Sequence, residues 1–267
     1  MDKLNELKDY FDAQVCSFPG KVQYLYRDLG EPVRFLSDKE KEQVISASMI
    51  KIAIMLCLFE KIQGKKISFE QTMLPVGKEQ ILPDSQVFEY GERECSLYEL
   101  TVWMMENSDN TATNVLMEYL GFSEMNSFFG RIGLKQTKAE RFMLDYDAIA
   151  KGKNNYISPE DFYICMRILY EKKKSDQLYE KGWGIMLHNR DHEDLMRYLY
   201  EEPLCAHKSG ELEGIEHDAG IFITPSCSIG VHTVTRRSEE NTPEDLMKAA
   251  DHKMYLAKER GRNTVVS

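Results

Sequence analysis

Residues 46–62 read SASMIKIAIMLCLFEKI, a run that is apolar on nearly every face of a helix and ends shortly before Gly64. A helix that is hydrophobic all round lies in the core of a protein, and a glycine just past its end is a common cap. The run therefore predicts a buried helix with Ser48 near its start and Lys51 one turn further on. Residues three apart share a face of a helix, so these two side chains should be neighbours.

Hydrophobic spacing outside this run predicts strands at both ends of the chain and helices between them. The predicted strands cover residues 21–28, 32–36, 204–208, 220–224 and 227–235. The other predicted helices cover residues 2–15, 97–106, 111–120, 159–172, 179–188 and 242–261. This order favours an α+β fold in which one antiparallel sheet, flanked by N- and C-terminal helices, receives an inserted all-α subdomain. We assign residues 1–40 and 183–267 to the α/β subdomain and residues 41–182 to the all-α subdomain.

The composition limits the partners and the location that we expect. The 267 residues include 34 basic and 44 acidic side chains, so the net charge of −10 argues against nucleic acid or an anionic membrane as the main partner. No apolar stretch reaches 18 residues, and no basic segment followed by an apolar core opens the chain, so we expect no membrane span. A cytoplasmic location is expected for the sequence as given, and export only if a leader has been lost.

The six cysteines are scattered and form no C-x-x-C pair. This pattern predicts buried, reduced thiols in preference to a disulfide framework or a metal site.

Three short motifs stand in order along the chain, and each falls in a suitable local context. S-x-x-K alone is common by chance, whereas all three in this order are rare. They lie at a helix start, in a break between two helices and in a strand, respectively: Ser48-Met49-Ile50-Lys51, Ser108-Asp109-Asn110 and Lys208-Ser209-Gly210.

These residue types suit nucleophilic catalysis by a serine. A serine hydroxyl is a weak nucleophile and needs a neighbouring base, which Lys51 can supply to Ser48. A lysine acts as a base when burial or a nearby cation lowers its pKa, and Lys208 is a candidate for that cation. Ser108 can pass a proton to a leaving nitrogen, and Asn110 can hold a substrate amide.

The third motif predicts a substrate-binding strand. An extended substrate can pair with the edge formed by Lys208, Ser209, Gly210 and Glu211, and the first two side chains can bind a substrate carboxylate. The backbone amides of Ser48 and Glu211 would form an oxyanion hole.

The motifs resemble the S-x-x-K, S-D-N and K-T/S-G set of class A β-lactamases and penicillin-binding proteins. The similar stretches are residues 47–52, 105–114 and 207–212, and the resemblance spans about residues 21–235. It implies an α/β sandwich plus a helical subdomain with the site between them, no metal and no cofactor. It also implies a small-molecule β-lactam, amide or ester substrate, and we expect a monomer. A D,D-peptidase, an esterase-like enzyme and a non-catalytic binding or sensor module of the same fold remain alternatives.

One departure from the class A pattern concerns the second half of the reaction. Class A enzymes carry a glutamate that activates the deacylating water, whereas the matching stretch here, residues 141–148, has Met143 at that place. The sequence therefore supports formation of an acyl-enzyme better than hydrolysis of that acyl-enzyme. Asp145 or Asp147 is a candidate deacylation base, and a surface or helix-capping carboxylate is the alternative for each.

The tail carries a second resemblance. Parts of residues 226–267 resemble the end of a diguanylate cyclase (GGDEF) domain: Ser228-Ile229-Gly230-Val231, Ala249-Ala250-Asp251, Tyr255-Leu256-Ala257-Lys258 and Gly261-Arg262-Asn263. The Gly-Gly-Asp/Glu-Glu-Phe turn of that family is absent, so cyclase activity is not expected. We expect this tail to complete the sheet with a strand and to pack a helix on it.

The histidines are expected to be structural. His188 and His192 are four apart but lack the glutamate of a zinc-protease helix. His207 and the pair His217-Asp218 flank the predicted site strand, where hydrogen bonding is the expected role.

Overall fold

The computed structural model describes residues 3–29, 35–83, 85–197, 203–223 and 228–235. The strands are β1 (Lys21–Asp28), β2 (Phe35–Asp38), β3 (Val44–Ile45), β4 (Met73–Val76), β5 (Arg93–Ser96), β6 (Tyr156–Ile157), β7 (Cys205–Leu212), β8 (Ile215–Phe222) and β9 (Ser228–Thr235). The α-helices are α1 (Lys3–Ser17), α2 (Lys51–Lys65), α3 (Gln86–Tyr90), α4 (Leu97–Glu106), α5 (Asn110–Leu120), α6 (Phe122–Arg131), α7 (Tyr146–Ala150), α8 (Pro159–Lys172) and α9 (Gln177–Leu187). A 3₁₀ turn, Ala47–Ile50, leads into α2, and a second one covers Lys78–Gln80.

Both ends of the chain build one five-stranded sheet, which confirms the α+β fold class. The strand order is β2-β1-β9-β8-β7, and every neighbouring pair is antiparallel. Strand β9 lies at the centre, where it pairs along its whole length with β1 on one side and β8 on the other. Among the strands that the structure describes, β7 is therefore an edge of the sheet.

The C-terminal strands are longer than the sequence pattern predicts. β7 extends to Leu212 and β8 begins at Ile215, beyond the apolar runs 204–208 and 220–224 that predicted these strands. The alternation of apolar and polar residues that usually marks a strand is missing in these extensions, because polar side chains such as Ser209, His217 and Asp218 are buried there. The real turn needs only two residues, since Gly214 adopts a φ of 74°.

Helix α2 forms the core of the helical part. Its residues from Ile52 to Phe59 are at most 2% exposed, and α4, α5, α6, α8 and α9 pack around it. Each large apolar side chain buried in this way stabilises the fold by roughly 1.5–3 kcal/mol. The sequence prediction of a central buried helix is confirmed.

The end of α2 differs from the prediction, because Gly64 lies inside the last helical turn. Lys66 instead takes the left-handed conformation with a φ of 51°. Its amide donates to Gln63 O at 3.3 Å, and the Ile67 amide donates to Ile62 O at 3.1 Å. These two bonds satisfy the last carbonyls of the helix in the Schellman pattern. Its left-handed position is usually a glycine, and here it is Lys66.

The opening helix packs on the sheet as expected. The Phe11 ring stacks on the Tyr24 ring of β1 with 5.2 Å between centroids, and the Tyr24 hydroxyl donates to Asp12 Oδ1 at 2.9 Å. The expected C-terminal helix, residues 242–261, and most of the GGDEF-like tail lie outside the described residues.

The predicted subdomain boundary between residues 182 and 183 falls inside α9. Helices α2 to α8 do lie between β2 and β7 in the chain, and the division into two subdomains stays a prediction. Among the helices that the structure describes, none combines the length and the apolar character that crossing a bilayer requires.

The five cysteines within the described ranges are all unpaired, and four of them are buried: Cys57, Cys95, Cys165 and Cys205. Cys16 is exposed on α1, so the expectation of burial is wrong for this residue. The sixth, Cys227, lies outside the described residues.

Candidate active site

The 3₁₀ turn that carries Ser48 is fixed from both sides. Ser46 donates its amide to Asn155 O at 2.9 Å, next to the short β3–β6 pairing, and the Met49 amide returns to Ser46 O at 2.9 Å. Ala47 has a φ of 44°, a conformation that costs energy in a residue with a side chain and is found where surrounding structure imposes it. Ser48 is thus presented, half-buried, at the start of the rigid core helix.

Lys51, the first residue of α2, joins two of the three motifs. Its side chain is 0% exposed. The Nζ atom lies 2.9 Å from Ser48 Oγ, 2.6 Å from Ser108 O, 3.1 Å from Ser108 Oγ and 3.2 Å from Asn110 Oδ1. The predicted proximity of Ser48 and Lys51 is present, and a neutral amine at this place can accept the Ser48 proton while donating to the carbonyl oxygens.

The Ser108 loop is shaped by its neighbour Asp109. This buried carboxylate begins α5 by accepting the Ala112 amide at 2.8 Å, and its second oxygen accepts from Ser85 Oγ at 2.7 Å and from the Gln86 amide at 2.6 Å. Ser108 has a φ of 56°, a conformation in which its carbonyl and its hydroxyl both contact Lys51. Asp109 is therefore a helix-capping residue, and Ser108 and Asn110 are the residues of this motif that contact Lys51.

Lys208 of β7 is fully buried, and its Nζ donates to Ser209 O at 2.8 Å. Burial lowers the pKa of this ammonium to about 8, against the opposing charges of Asp218 and Asp191. Lys208 therefore changes charge close to neutral pH, which the ordinary lysine pKa of about 10.4 would not allow.

Gly210 brings the edge strand against the nucleophile. A Cβ atom at this position would lie 2.8 Å from Ser48 N and 3.2 Å from both Met49 N and Ala47 Cβ. The close approach requires a glycine. It joins the third motif to the first and places the exposed Glu211 next along the same strand.

Ser209 makes a contact that the sequence did not predict. Its hydroxyl donates to Oδ2 of Asp191, in the segment between α9 and β7. Burial alone would raise the pKa of Asp191, but the Ser209 hydroxyl, the Glu193 amide and the charge of Lys208 together lower it. The residue that was expected to bind a substrate carboxylate thus already binds one from the protein itself.

Met143 lies against helix α5. Asn114, one turn after Asn110, accepts the Met143 amide through Oδ1 at 2.7 Å and donates through Nδ2 to Met143 O at 3.1 Å. The Met143 side chain is buried. Asn110 and Asn114 are four residues apart and lie on one helix face. This spacing is the sequence signal that could have identified Asn114 as a residue that positions the Met143 loop.

The two candidate deacylation bases occupy different settings. Asp145 begins α7 and accepts the Ala148 amide at 2.9 Å, so it acts as a helix cap. Asp147 is exposed on the same helix. These settings match the alternative of capping and surface carboxylates, and a role as base stays a prediction.

The histidines around the site make structural contacts. His207 Nδ1 lies 3.1 Å from Asp218 Oδ1, and His217 Nε2 lies 2.8 Å from Ile45 O. His188 Nδ1 contacts Gly184 O at 2.7 Å, and His192 Nε2 contacts Asn189 O at 3.0 Å. The expectation of hydrogen-bonding roles is consistent with these contacts.

The fold and the contacts around Lys51 together define a class: an α+β protein of the β-lactamase-like serine hydrolase type. A family model described as the beta-lactamase enzyme family matches residues 5–254. The chain belongs to this family.

Solved structures of the same fold are similar over nearly the whole chain. One titled "Structure of PBP-A" is 23% identical with a TM-score of 0.81 and covers 96% of this chain and 97% of its own. The TLA-1 extended-spectrum β-lactamase is 19% identical with a TM-score of 0.82, covering 95% and 99%. A β-lactamase from Sphaerobacter thermophilus DSM 20745 is 19% identical with a TM-score of 0.76, covering 92% and 97%. No curated protein matches the sequence.

Proposed function

We propose that the protein is a serine hydrolase that forms an acyl-enzyme at Ser48, opens β-lactams or related amides and esters, and releases the acyl group slowly. The observation that carries this proposal is the 2.9 Å separation between Ser48 Oγ and the Nζ of the fully buried Lys51. A hydroxyl within hydrogen-bond distance of a shielded amine is the arrangement that activates a serine nucleophile.

Acylation uses residues that touch each other. Ser48 Oγ forms a bond to the substrate carbonyl carbon while its proton passes to Lys51 Nζ. The carbon–nitrogen bond of the substrate then breaks, and the leaving nitrogen receives a proton through Ser108 Oγ, which lies 3.1 Å from the same Nζ. Lysine thereby returns to its neutral state.

Binding of the substrate is assigned to the edge strand and the nucleophile turn. The Ser48 amide, against Gly210, and the Glu211 amide would donate to the developing oxyanion. Asn110 would hold a substrate amide, and β7 would pair with an extended acyl chain.

Slow release follows from the residue at the place of the class A glutamate. Hydrolysis of the ester needs a water deprotonated by a positioned group of matched pKa. The buried thioether of Met143 cannot accept this proton, and Asp145 is engaged as a cap. The same observation favours a second candidate function, a penicillin-binding peptidase or sensor that retains the acyl group.

Intact-protein mass spectrometry tests the proposal with a fluorophosphonate probe and with benzylpenicillin. We expect one adduct per chain, lost in Ser48→Ala and retained in Ser127→Ala, which alters an exposed serine of α6. Lys51→Ala should slow labelling by roughly 10²–10⁴-fold, because proton transfer contributes about that factor. Adducts that persist in Ser48→Ala would remove Ser48 as the nucleophile, and the lifetime of the penicillin adduct separates a hydrolase from a sensor.

A further inference from the structure

The segment from Asn189 to Arg197 lies between α9 and β7 in the chain and is hydrogen-bonded on both sides of the candidate site. The Arg190 amide donates to Glu106 O at 3.1 Å, at the end of α4 and two residues before Ser108. Asn189 Nδ2 donates to His207 O at 3.0 Å, one residue before Lys208. The segment therefore bridges the second and third motifs.

Asp191 is oriented within this segment by several bonds. Its Oδ2 accepts the Ser209 hydroxyl, and its Oδ1 accepts the Glu193 amide at 3.2 Å. The Asp191 amide in turn donates to Asn189 Oδ1 at 2.9 Å. Because the pKa of Asp191 is lowered, the carboxylate stays ionised at neutral pH.

We propose that Asp191 is a specificity-determining residue whose carboxylate occupies the carboxylate-binding position of Lys208 and Ser209, so that the site disfavours carboxylate-bearing substrates. It selects acyl compounds with a neutral or positively charged group at that position. This inference rests on the proposed function, since it names the substrate class of the same site.

The charges around Asp191 support this selection. A second acid of the segment, Asp194, has a pKa raised to about 6, first by burial and then by the charges of Asp218, Asp191, Glu216 and Glu211. The part of this rise that follows burial therefore reflects negative charge around the segment. A carboxylate brought to the segment by a ligand would be repelled by this charge, whereas an ammonium group would be attracted by it.

The chemistry of Ser209 works in the same direction. A hydroxyl can donate only one hydrogen bond, and the Ser209 hydroxyl donates it to Asp191. A ligand carboxylate would have to displace Asp191 from this bond, whereas a ligand with an N–H group could donate to the lone pairs of Ser209 Oγ and leave the bond intact.

The test compares acylation by benzylpenicillin with acylation by its methyl ester, which lacks the negative charge at this position and carries one additional methyl group there. We expect Asp191→Asn to raise the acid-to-ester ratio of acylation rate constants by about ten- to hundredfold, the range for a hydrogen bond to a charged group. Asp191→Ala is the second variant, and melting curves show that each is folded. Glu193→Gln is the matched control, because it removes one charge from the same segment at a side chain that is 79% exposed.

The control ratio should stay within threefold of the unmodified protein. An unchanged ratio in both folded Asp191 variants would overturn the inference, as would variants that react with the fluorophosphonate but with neither penicillin compound. Failure of the fluorophosphonate to label Ser48 in the unmodified protein would instead overturn the proposed function itself, which makes the two failures distinguishable.

Discussion

Replacing Gly210 by alanine should slow acylation while the protein still folds, because this glycine lies where the edge strand β7 contacts the turn that carries Ser48. The new Cβ would lie 2.8 Å from Ser48 N, and ordinary contact begins at 3.4 Å, so strand and turn must separate by about 0.6 Å. Both partners are backbone or rigid, and neither can move aside as a flexible side chain would.

The magnitude follows from this displacement. A misplacement of 1 Å can cost roughly 10²-fold in rate, so about 0.6 Å should lower the acylation rate constant by roughly ten- to thirtyfold. Overpacking should also reduce the free energy of unfolding by about 1–3 kcal/mol, which lowers Tm by roughly 2–4 °C per kcal/mol in a chain of this size. Stopped-flow labelling with a fluorophosphonate and a melting curve measure the two effects.

Gly184→Ala is the matched control, because a Cβ at that position in α9 meets nothing within 4 Å. It should keep the labelling rate and leave Tm equal or slightly higher, since alanine is preferred to glycine inside a helix. Labelling of folded Gly210→Ala at the unmodified rate would refute the assignment of this close approach to the oxyanion region.

Three further predictions address the charge, the deacylation step and the sheet. Raising the pH through about 8 should reduce the acid-to-ester ratio of penicillin acylation, because Lys208 is an ammonium below its lowered pKa and a neutral amine above it; a ratio that is flat from pH 7 to pH 9 would contradict this. A chromogenic cephalosporin should give a burst of about one equivalent and a slow steady state, and Met143→Glu should raise the steady rate by up to roughly 10²–10⁴-fold; fast turnover without a burst, lost in Asp145→Asn or Asp147→Asn, would show that the base is one of these aspartates. Deleting residues 226–267 removes β9 from between β1 and β8, so the shortened chain should be insoluble, and a soluble product with a cooperative melting transition would show that the tail is an appended module.

The parts of this fold that the sequence predicts are those with a local cause. Helix α2 is recognisable because its apolar run has no polar face, and α8 because Ser158 and Pro159 mark its start. The contact between Ser48 and Lys51 follows from their spacing of three residues at the start of this run. In each case a short segment contains the whole signal.

The parts that the sequence does not predict depend on partners far away in the chain. The extensions of β7 and β8 are polar because they line the site, which removes the alternation that marks a strand. β3 and β6 are only two residues long, and each is a strand because it pairs with the other. The bond between Asp191 and Ser209 joins two unremarkable polar residues 18 positions apart, and no local pattern distinguishes it from a solvated surface.

The central position of β9 has a consequence for the order in which the molecule can be made. Thr235 pairs with Lys21 on one side and with Ile215 on the other. The first strand can therefore pair with β2 early, but its pairing with β9 must wait until residues 228–235 have left the ribosome. Pairings of such long sequence separation fold slowly because loop closure precedes the contacts that repay it. The helices around α2 all precede β7 in the chain and can assemble earlier. Because β7 reaches the rest of the sheet through β8 and β9, the nascent protein can hold Ser48 and Lys51 together before the strand that completes the site is in place.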